Sequence, residues 1–372
     1  MPRSARAGAS TAGLLVLLAG TMLLPLQTST RVDMTRFALL ALSVYVPLMA
    51  GQLSLASPGF YLIGGYVAGV VSTQNVLLDP DTGYWKVHLG PFRWTSTTES
   101  FPASIVVIEI VIAIVIAAVL GMLLGFLALR LRGIFLALAT IAFNQCVGIL
   151  MLHDGIFPFL VNGGLKTQGA LGIYNIPQPF ETQGQYLRAL LPLLVVSAVF
   201  VYRLERSRTG RALIAIREDE LAASATGIHP TYYKVSAFTI GTVLAAIAGV
   251  LSAHFQNTWN PSQGNFELAT LFLACVVIGG SRTFLGPIVG AFLLTALPEL
   301  LRKLSDQTSG TLAQVIKDGR PFIYGLLMVL CCIFFPQGLV PPRLATRMFG
   351  RTSGDAAPLA PLVPPPDGIG AA

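Results

Sequence analysis

Arg206, Arg208 and Arg211 bracket Gly210, and Arg217-Glu218-Asp219-Glu220 follow a few residues later, in a chain with only 11% charged residues. A segment this polar cannot sit in hydrocarbon, and it is too patterned for a random linker. The chemistry open to it is recognition of a soluble partner. Leu213 and Ile216 lie three residues apart, so a short helix over this stretch puts both on one face. Ala222 and Ala223 permit close approach, and Gly227 is placed to end a helix in the left-handed conformation. His229-Pro230 then restarts the chain, proline being tolerated at a helix start. The competing reading is a solvated loop whose arginines only set topology, but that role needs neither this length nor a small-residue patch.

Other chemistry is poorly supported. His88, His153, His229 and His254 are dispersed, and no nucleophile–base pair or metal cluster accompanies them. Cys146, Cys275, Cys331 and Cys332 all fall in apolar segments without a metal-ligand spacing, and read as small apolar residues. No catalytic site, metal site or bound cofactor is expected. There is no GxxxxGK[ST] phosphate loop, since Gly163-Gly-Leu-Lys-Thr167 lacks the spacing. A carrier driven by an ion gradient typically needs an intramembrane acid. Glu109, Glu267 and Glu299 are the candidates, and each sits within about two turns of a span end. That reading is the weaker alternative.

Composition identifies the elements that must position these residues. Hydrophobic residues make up 54% of the chain and the mean hydropathy is +0.71. Runs of about 18 apolar residues cross the ~30 Å hydrocarbon layer as helices, which satisfy their own backbone hydrogen bonds. The expected fold is an all-α polytopic membrane bundle of about eight to ten spans, some short or broken. They lie near 12–28, 36–53, 58–74, 102–129, 134–152, 186–203, 232–256, 267–280, 284–301 and 321–340. Alternation from a cytoplasmic N-terminus places 14 of the 24 Lys/Arg inside, the direction of the positive-inside rule, and puts the C-terminus inside too. The charge of +7 is thereby scattered over short loops and does not indicate nucleic acid.

Loops 75–101 and 153–185 fall outside, the first with Trp85 and Trp94 as an interfacial cap. Breaks at Ser54–Gly59 and Gly279–Pro287 offer half-helix ends whose free N–H groups favour a carboxylate. Ser54, Gly59, Gly64, Asn144, Gly279 and Gly280 are therefore candidate pathway residues. For Asn144, hydrogen bonding between helices is the competing role. Gly65/Gly69, Gly121/Gly125 and Gly286/Gly290 mark close helix contacts, inside the subunit or between subunits.

The stretch Arg206–Ile228 resembles the cytoplasmic loop of LivM-type permeases, the membrane subunits of branched-chain amino-acid ABC importers. Ala222, Ala223 and Gly227 match the Ala-Ala-x-x-x-Gly part of the general importer loop. Leu221 stands where that motif has Glu, with Glu220 one residue earlier. Three further stretches, 51–66, 131–143 and 277–291, are similar to family segments in the right order, so the resemblance spans about residues 35–340. It implies a permease domain over 35–342; the apolar run in 1–34 adds a first span, and the Pro-rich composition of 343–372 a disordered tail.

It further implies a multi-pass protein of the bacterial inner membrane, paired with a homologous LivH-like permease. Two ABC ATPase subunits would hydrolyse the ATP, and an extracytoplasmic binding protein would deliver the solute. The ATPases would couple to the loop at 203–230 through Arg206, Gly210, Arg211, Ile216, Arg217, Glu218, Asp219, Glu220, Ala222, Ala223 and Gly227. Branched-chain amino acids are the expected solutes, with urea, short amides or another small organic solute as the alternative.

Overall fold

The computed structural model describes residues 27–74, 76–78, 85–89, 92–95, 103–128, 131, 133–153, 167–180 and 182–307, with short pieces between 325 and 340. The tail at 343–372 and nearly all of the spans expected at 12–28 and 321–340 lie outside these residues. Helix α1 (Thr28–Met49) is followed by α2 (Ser57–Gln74), strands β1 (Val76–Leu78), β2 (Trp85–Leu89) and β3 (Phe92–Thr95), then α3 (Ala103–Ala128) and α4 (Ile134–Met151). Strand β4 (Ile173–Tyr174) leads to α5 (Gln183–Arg206), α6 (Arg208–Glu218), α7 (Glu220–Ala225) and α8 (Pro230–Gln256). Strand β5 (Thr258–Trp259), a 3₁₀ turn (Pro261–Gly264), α9 (Phe266–Gly279) and α10 (Leu285–Gln307) complete the order.

Among the described residues, six helices are long and apolar enough to cross a membrane: α1, α3, α4, α5, α8 and α10. Helix α9 is not one of them. Its 14 residues rise only about 21 Å, so the expected span at 267–280 is a short helix. Helix α1 starts eight residues before the expected position 36, because its charged first turns are accommodated in place. Arg36 pairs with Asp33 at 2.6 Å and its guanidinium lies 5.2 Å from the Phe37 ring centre. The helix ends at Met49 instead of 53, where Pro47 lies in its last turn and Gly51 follows at φ 73°.

Helix α8 is the hub and packs against α1, α2 and α3. Lipid tails are as apolar as leucine, so helices in a membrane associate through close van der Waals fit at small residues. The α2–α8 crossing follows that rule, with Gly64 against the Ala246 carbonyl and Gly249 against the Tyr61 carbonyl. Gly65 faces Trp259, Gly69 faces Ile173, Gly121 faces Thr242 and Gly125 faces Phe238, while Gly286 and Gly290 face α9. All three glycine pairs therefore serve contacts within this subunit. By contrast Val107, Val111, Val115 and Val119 form an exposed apolar stripe along α3.

Two small sheets decorate one end of the bundle. Strands β1, β2 and β3 form an antiparallel meander, with Val76 opposite Val87 and Lys86 opposite Thr95, in the segment read from sequence as an interfacial cap. Strand β4 pairs antiparallel with β5, placing Ile173 opposite the buried Trp259.

Candidate functional site

The polar loop folds as two short helices standing on the end of α5. Ser207 breaks the path: its side chain caps α6 by accepting the Gly210 N–H at 3.1 Å. Gly210 lies so close to the Leu204 and Glu205 carbonyls that no side chain fits there. Leu213 and Ile216 are buried together, as their spacing requires, while Arg208 and Arg211 stay exposed. The acidic cluster is consumed internally. Glu218 pairs with Arg217 at 2.9 Å and Glu220 with Lys234 of α8 at 2.8 Å. Asp219 caps α7, accepting the Leu221 and Ala222 N–H groups at 2.8 and 3.0 Å.

Helix α7 ends in a left-handed Gly227, φ 86°, with Gly227 N–H donating to Ser224 O and Ile228 N–H to Ala223 O. This is the Schellman closure. Pro230 opens α8 immediately afterwards. Ala223 differs from the expectation of a wholly exposed alanine patch, because it turns inward and is buried. The residues of α7 left in water include Leu221, Ala222, Ser224 and Ala225, with Leu221 78% exposed.

Beneath the loop lies a contact set that the motif reading passed over. Glu205, in the last turn of α5, is buried; it accepts from the Tyr45 hydroxyl of α1 at 3.4 Å and from the Phe284 main chain in the α9–α10 turn. Arg206 lies 4.5 Å from the centre of the Tyr202 ring, which itself packs 5.1 Å from Phe284. Gly51, just past α1, approaches Arg217 of α6 so closely that an added Cβ would stand 3.2 Å from its Cγ.

Each helix break is satisfied by polar groups from elsewhere in the chain. Buried irregular backbone at membrane depth requires such partners. At the first break, Thr140 Oγ1 accepts the Leu55 N–H at 3.0 Å, and Asn144 Oδ1 accepts the Gly59 N–H at 2.9 Å. Asn144 Nδ2 donates in turn to the Leu55 carbonyl. Ser54 is buried here and receives the Ala56 N–H at 3.3 Å. At the second break, Gly280 takes φ 122° after α9, and the Leu339 and Val340 N–H groups donate to the Ile278 and Gly279 carbonyls at 2.8 and 3.0 Å.

Asn144→Leu should strand the Leu55 carbonyl and leave the Gly59 N–H only its 3.0 Å contact with the Ala56 carbonyl. A buried unpaired polar group costs about 1–3 kcal/mol, so the thermal midpoint in detergent should fall clearly below that of wild type. Gln145→Leu, one residue away and exposed, is the control that should leave it unchanged.

Comparison with known families decides what these parts belong to. The family described as the permease component of branched-chain amino acid transport systems matches residues 29–332. The chain belongs to that permease family. Two relatives illustrate the similarity. The high-affinity branched-chain amino acid transport system permease protein LivM of Salmonella typhimurium is 32% identical over 86% of this chain and 71% of its own length. The corresponding LivH protein of Escherichia coli is 27% identical over 78% of this chain and 86% of its own. No solved structure matches.

In this permease the end of the bundle away from the loop holds a second buried polar cluster. His254 of α8 and Glu109 of α3 are both fully buried, with Nε2 and Oε2 2.5 Å apart. Ser72 of α2 donates to the other Glu109 oxygen, and His254 Nδ1 lies 2.8 Å from the Pro177 carbonyl. Tyr186 of α5 donates to the His254 carbonyl at 3.1 Å. The histidines looked dispersed in sequence because the two members of the pair stand 145 positions apart. The signal that would have found it was an acid in one apolar run and a histidine in another, each about two turns or less from a span end on the same side.

Proposed function

We propose that this chain is one of two homologous permease subunits forming the pathway of an ABC importer for branched-chain amino acids. An extracytoplasmic binding protein delivers the solute. Two separate ATPase subunits hydrolyse ATP and dock on the cytoplasmic loop at 203–230; the subunit itself performs no chemistry. The solute passes near the breaks at Ser54–Gly59 and Gly279–Gly280, where Gly64 and Asn144 also lie.

The observation that carries the docking role is the state of α7. Every acidic group around it is engaged within the chain, both helix ends are capped, and yet Leu221 stays 78% exposed beside Ala222 and Ala225. An apolar face held in water, with Arg208 and Arg211 exposed on the preceding helix α6, is suited to be covered by a partner. Leu221 stands where the general importer loop has Glu, so the contact made there is apolar and the arginines supply the charge.

The test is co-purification of the ATPase subunits with the permease pair. Leu221→Asp and Arg211→Glu should each reduce ATPase recovery by about tenfold, the equivalent of about 1.4 kcal/mol, and abolish uptake while membrane insertion stays normal. Undiminished recovery with both variants would refute docking on this face. Ala223→Trp is a poor probe because Ala223 is buried. The solute is tested separately, by titrating the cognate binding protein with leucine, isoleucine, valine and urea; tight binding of urea alone would overturn the amino-acid assignment.

A further inference from the structure

The loop proposed to receive the ATPase and the helix breaks proposed to face the solute are joined through the chain. At the base of the loop they touch. Glu205 closes α5 immediately before Ser207 starts the turn into α6, and it has no freedom of its own. It is 2% exposed, and its carboxyl group is held by the Tyr45 hydroxyl and the Phe284 main chain. Tyr45 belongs to the last turns of α1, which lead into the first break. Phe284 belongs to the turn between α9 and α10, which is the second break. Arg206 and Arg217 lie close enough to act on the same carboxyl, and Arg217 also abuts Gly51, between α1 and the first break.

We propose that Glu205 is the positioning residue through which movement of the 206–227 loop reaches both helix breaks at once. The proposal rests on the docking role assigned to that loop and adds the route by which its motion travels. Three properties of the site favour it. First, α6 joins the bundle through the turn at Ser207-Gly210, where Gly210 is pressed against the carbonyls of Leu204 and Glu205; a tilt of α6 therefore moves the end of α5. Second, the end of α5 grips the second break twice, by the Glu205–Phe284 hydrogen bond and by the Tyr202–Phe284 ring contact at 5.1 Å. Third, a purely structural acid could be replaced by an apolar residue at this depth, since burying a carboxyl is costly unless its partners compensate. Here one carboxyl bridges three separate segments, and coupling between distant sites is carried by connected elements of this kind.

The experiment uses the complete importer in proteoliposomes: permease pair, ATPases and binding protein, with leucine as the transported probe. The readout is leucine imported per ATP hydrolysed, alongside ATPase co-purification. Glu205→Ala should retain the ATPases and their basal hydrolysis but lower the transport ratio by about tenfold, a typical inter-site coupling. Glu205→Gln keeps an acceptor for both donors and should remain within about twofold of wild type. A wild-type ratio in the alanine variant overturns the proposal, as does a glutamine variant impaired as deeply as alanine. Should the alanine variant fail to assemble, Tyr45→Phe decides: removing one hydroxyl should lower the ratio by about twofold or more, and an unchanged ratio counts against the link. Failure of the docking role would appear differently, as ATPases that still co-purify with Leu221→Asp.

Discussion

Glu109→Ala should cost this permease about 1–3 kcal/mol for each buried polar group left without its partner, and should sharply lower its thermal midpoint in detergent. The proton inventory of the cluster explains the size. The Pro177 carbonyl can only accept, so His254 Nδ1 must be the donor in their 2.8 Å contact. The contact between Nε2 and Glu109 then contains one proton, held either as imidazolium facing carboxylate or as a carboxylic acid donating to a neutral ring. Alanine removes the partner in both cases, leaving Nε2 and the Ser72 hydroxyl in a fully buried space. Glu109→Gln is different, because its amide N–H can donate to a neutral ring and its oxygen can still accept from Ser72. That variant should lose no more than about 1 kcal/mol. Equal midpoints for the alanine and glutamine variants would show that the pair carries no such weight. The location gives the loss a functional edge: His254 also fixes the segment containing Pro177 and, through its carbonyl, the first turn of α5 at Tyr186.

Local features of the chain were readable from sequence and long-range ones were not, for a physical reason. Periodicity and end signals are short-range, so α3, α4, α8 and the loop helices fall within a few residues of their expected places. Leu213 and Ile216 are buried together, Gly227 ends its helix left-handed, and Pro230 restarts the chain. Boundaries shifted where side chains compensate for charge. Arg36 stays inside α1 because Asp33 and Phe37 receive it, which hydropathy alone cannot register. The acidic run Glu218-Asp219-Glu220 looked like a binding signal, yet its groups are an ion pair to the neighbour, a helix cap and a tie to Lys234. Only the fold tells a satisfied acid from an available one. Asn144 was legible as a buried polar group, but its partners Leu55 and Gly59 lie more than 80 positions away. Glu205 carried no pattern at all, since each of its contacts comes from a different segment.

Gly290→Ala is the second large effect expected, and it tests how the second break is held. Helices α9 and α10 run back from the Gly280 turn with almost no space between them. Gly279 faces the Gly286 carbonyl, Gly286 faces the Gly280 carbonyl and Gly290 faces the Cys275 carbonyl, each closer than any Cβ can come. A methyl group at 290 meets fixed main chain instead of a flexible side chain, so relief requires the helices to separate. Overpacking of this kind costs about 1–3 kcal/mol, and separation would disturb the packing of both helices against α1. Separation would also withdraw the Ile278 and Gly279 carbonyls from the Leu339 and Val340 N–H groups, which are 2.8 and 3.0 Å away. The Phe284 main chain would move off Glu205 for the same reason. Loss of folded protein and loss of transport should therefore appear together in Gly290→Ala. Gly184→Ala is the matched control: that glycine also lies in a helix, with nothing within 4 Å of an added Cβ, and alanine is about 1 kcal/mol better than glycine in a helix. A Gly290→Ala protein as stable and active as the Gly184→Ala protein would mean that the two helices tolerate separation, and that the break is not held by this contact.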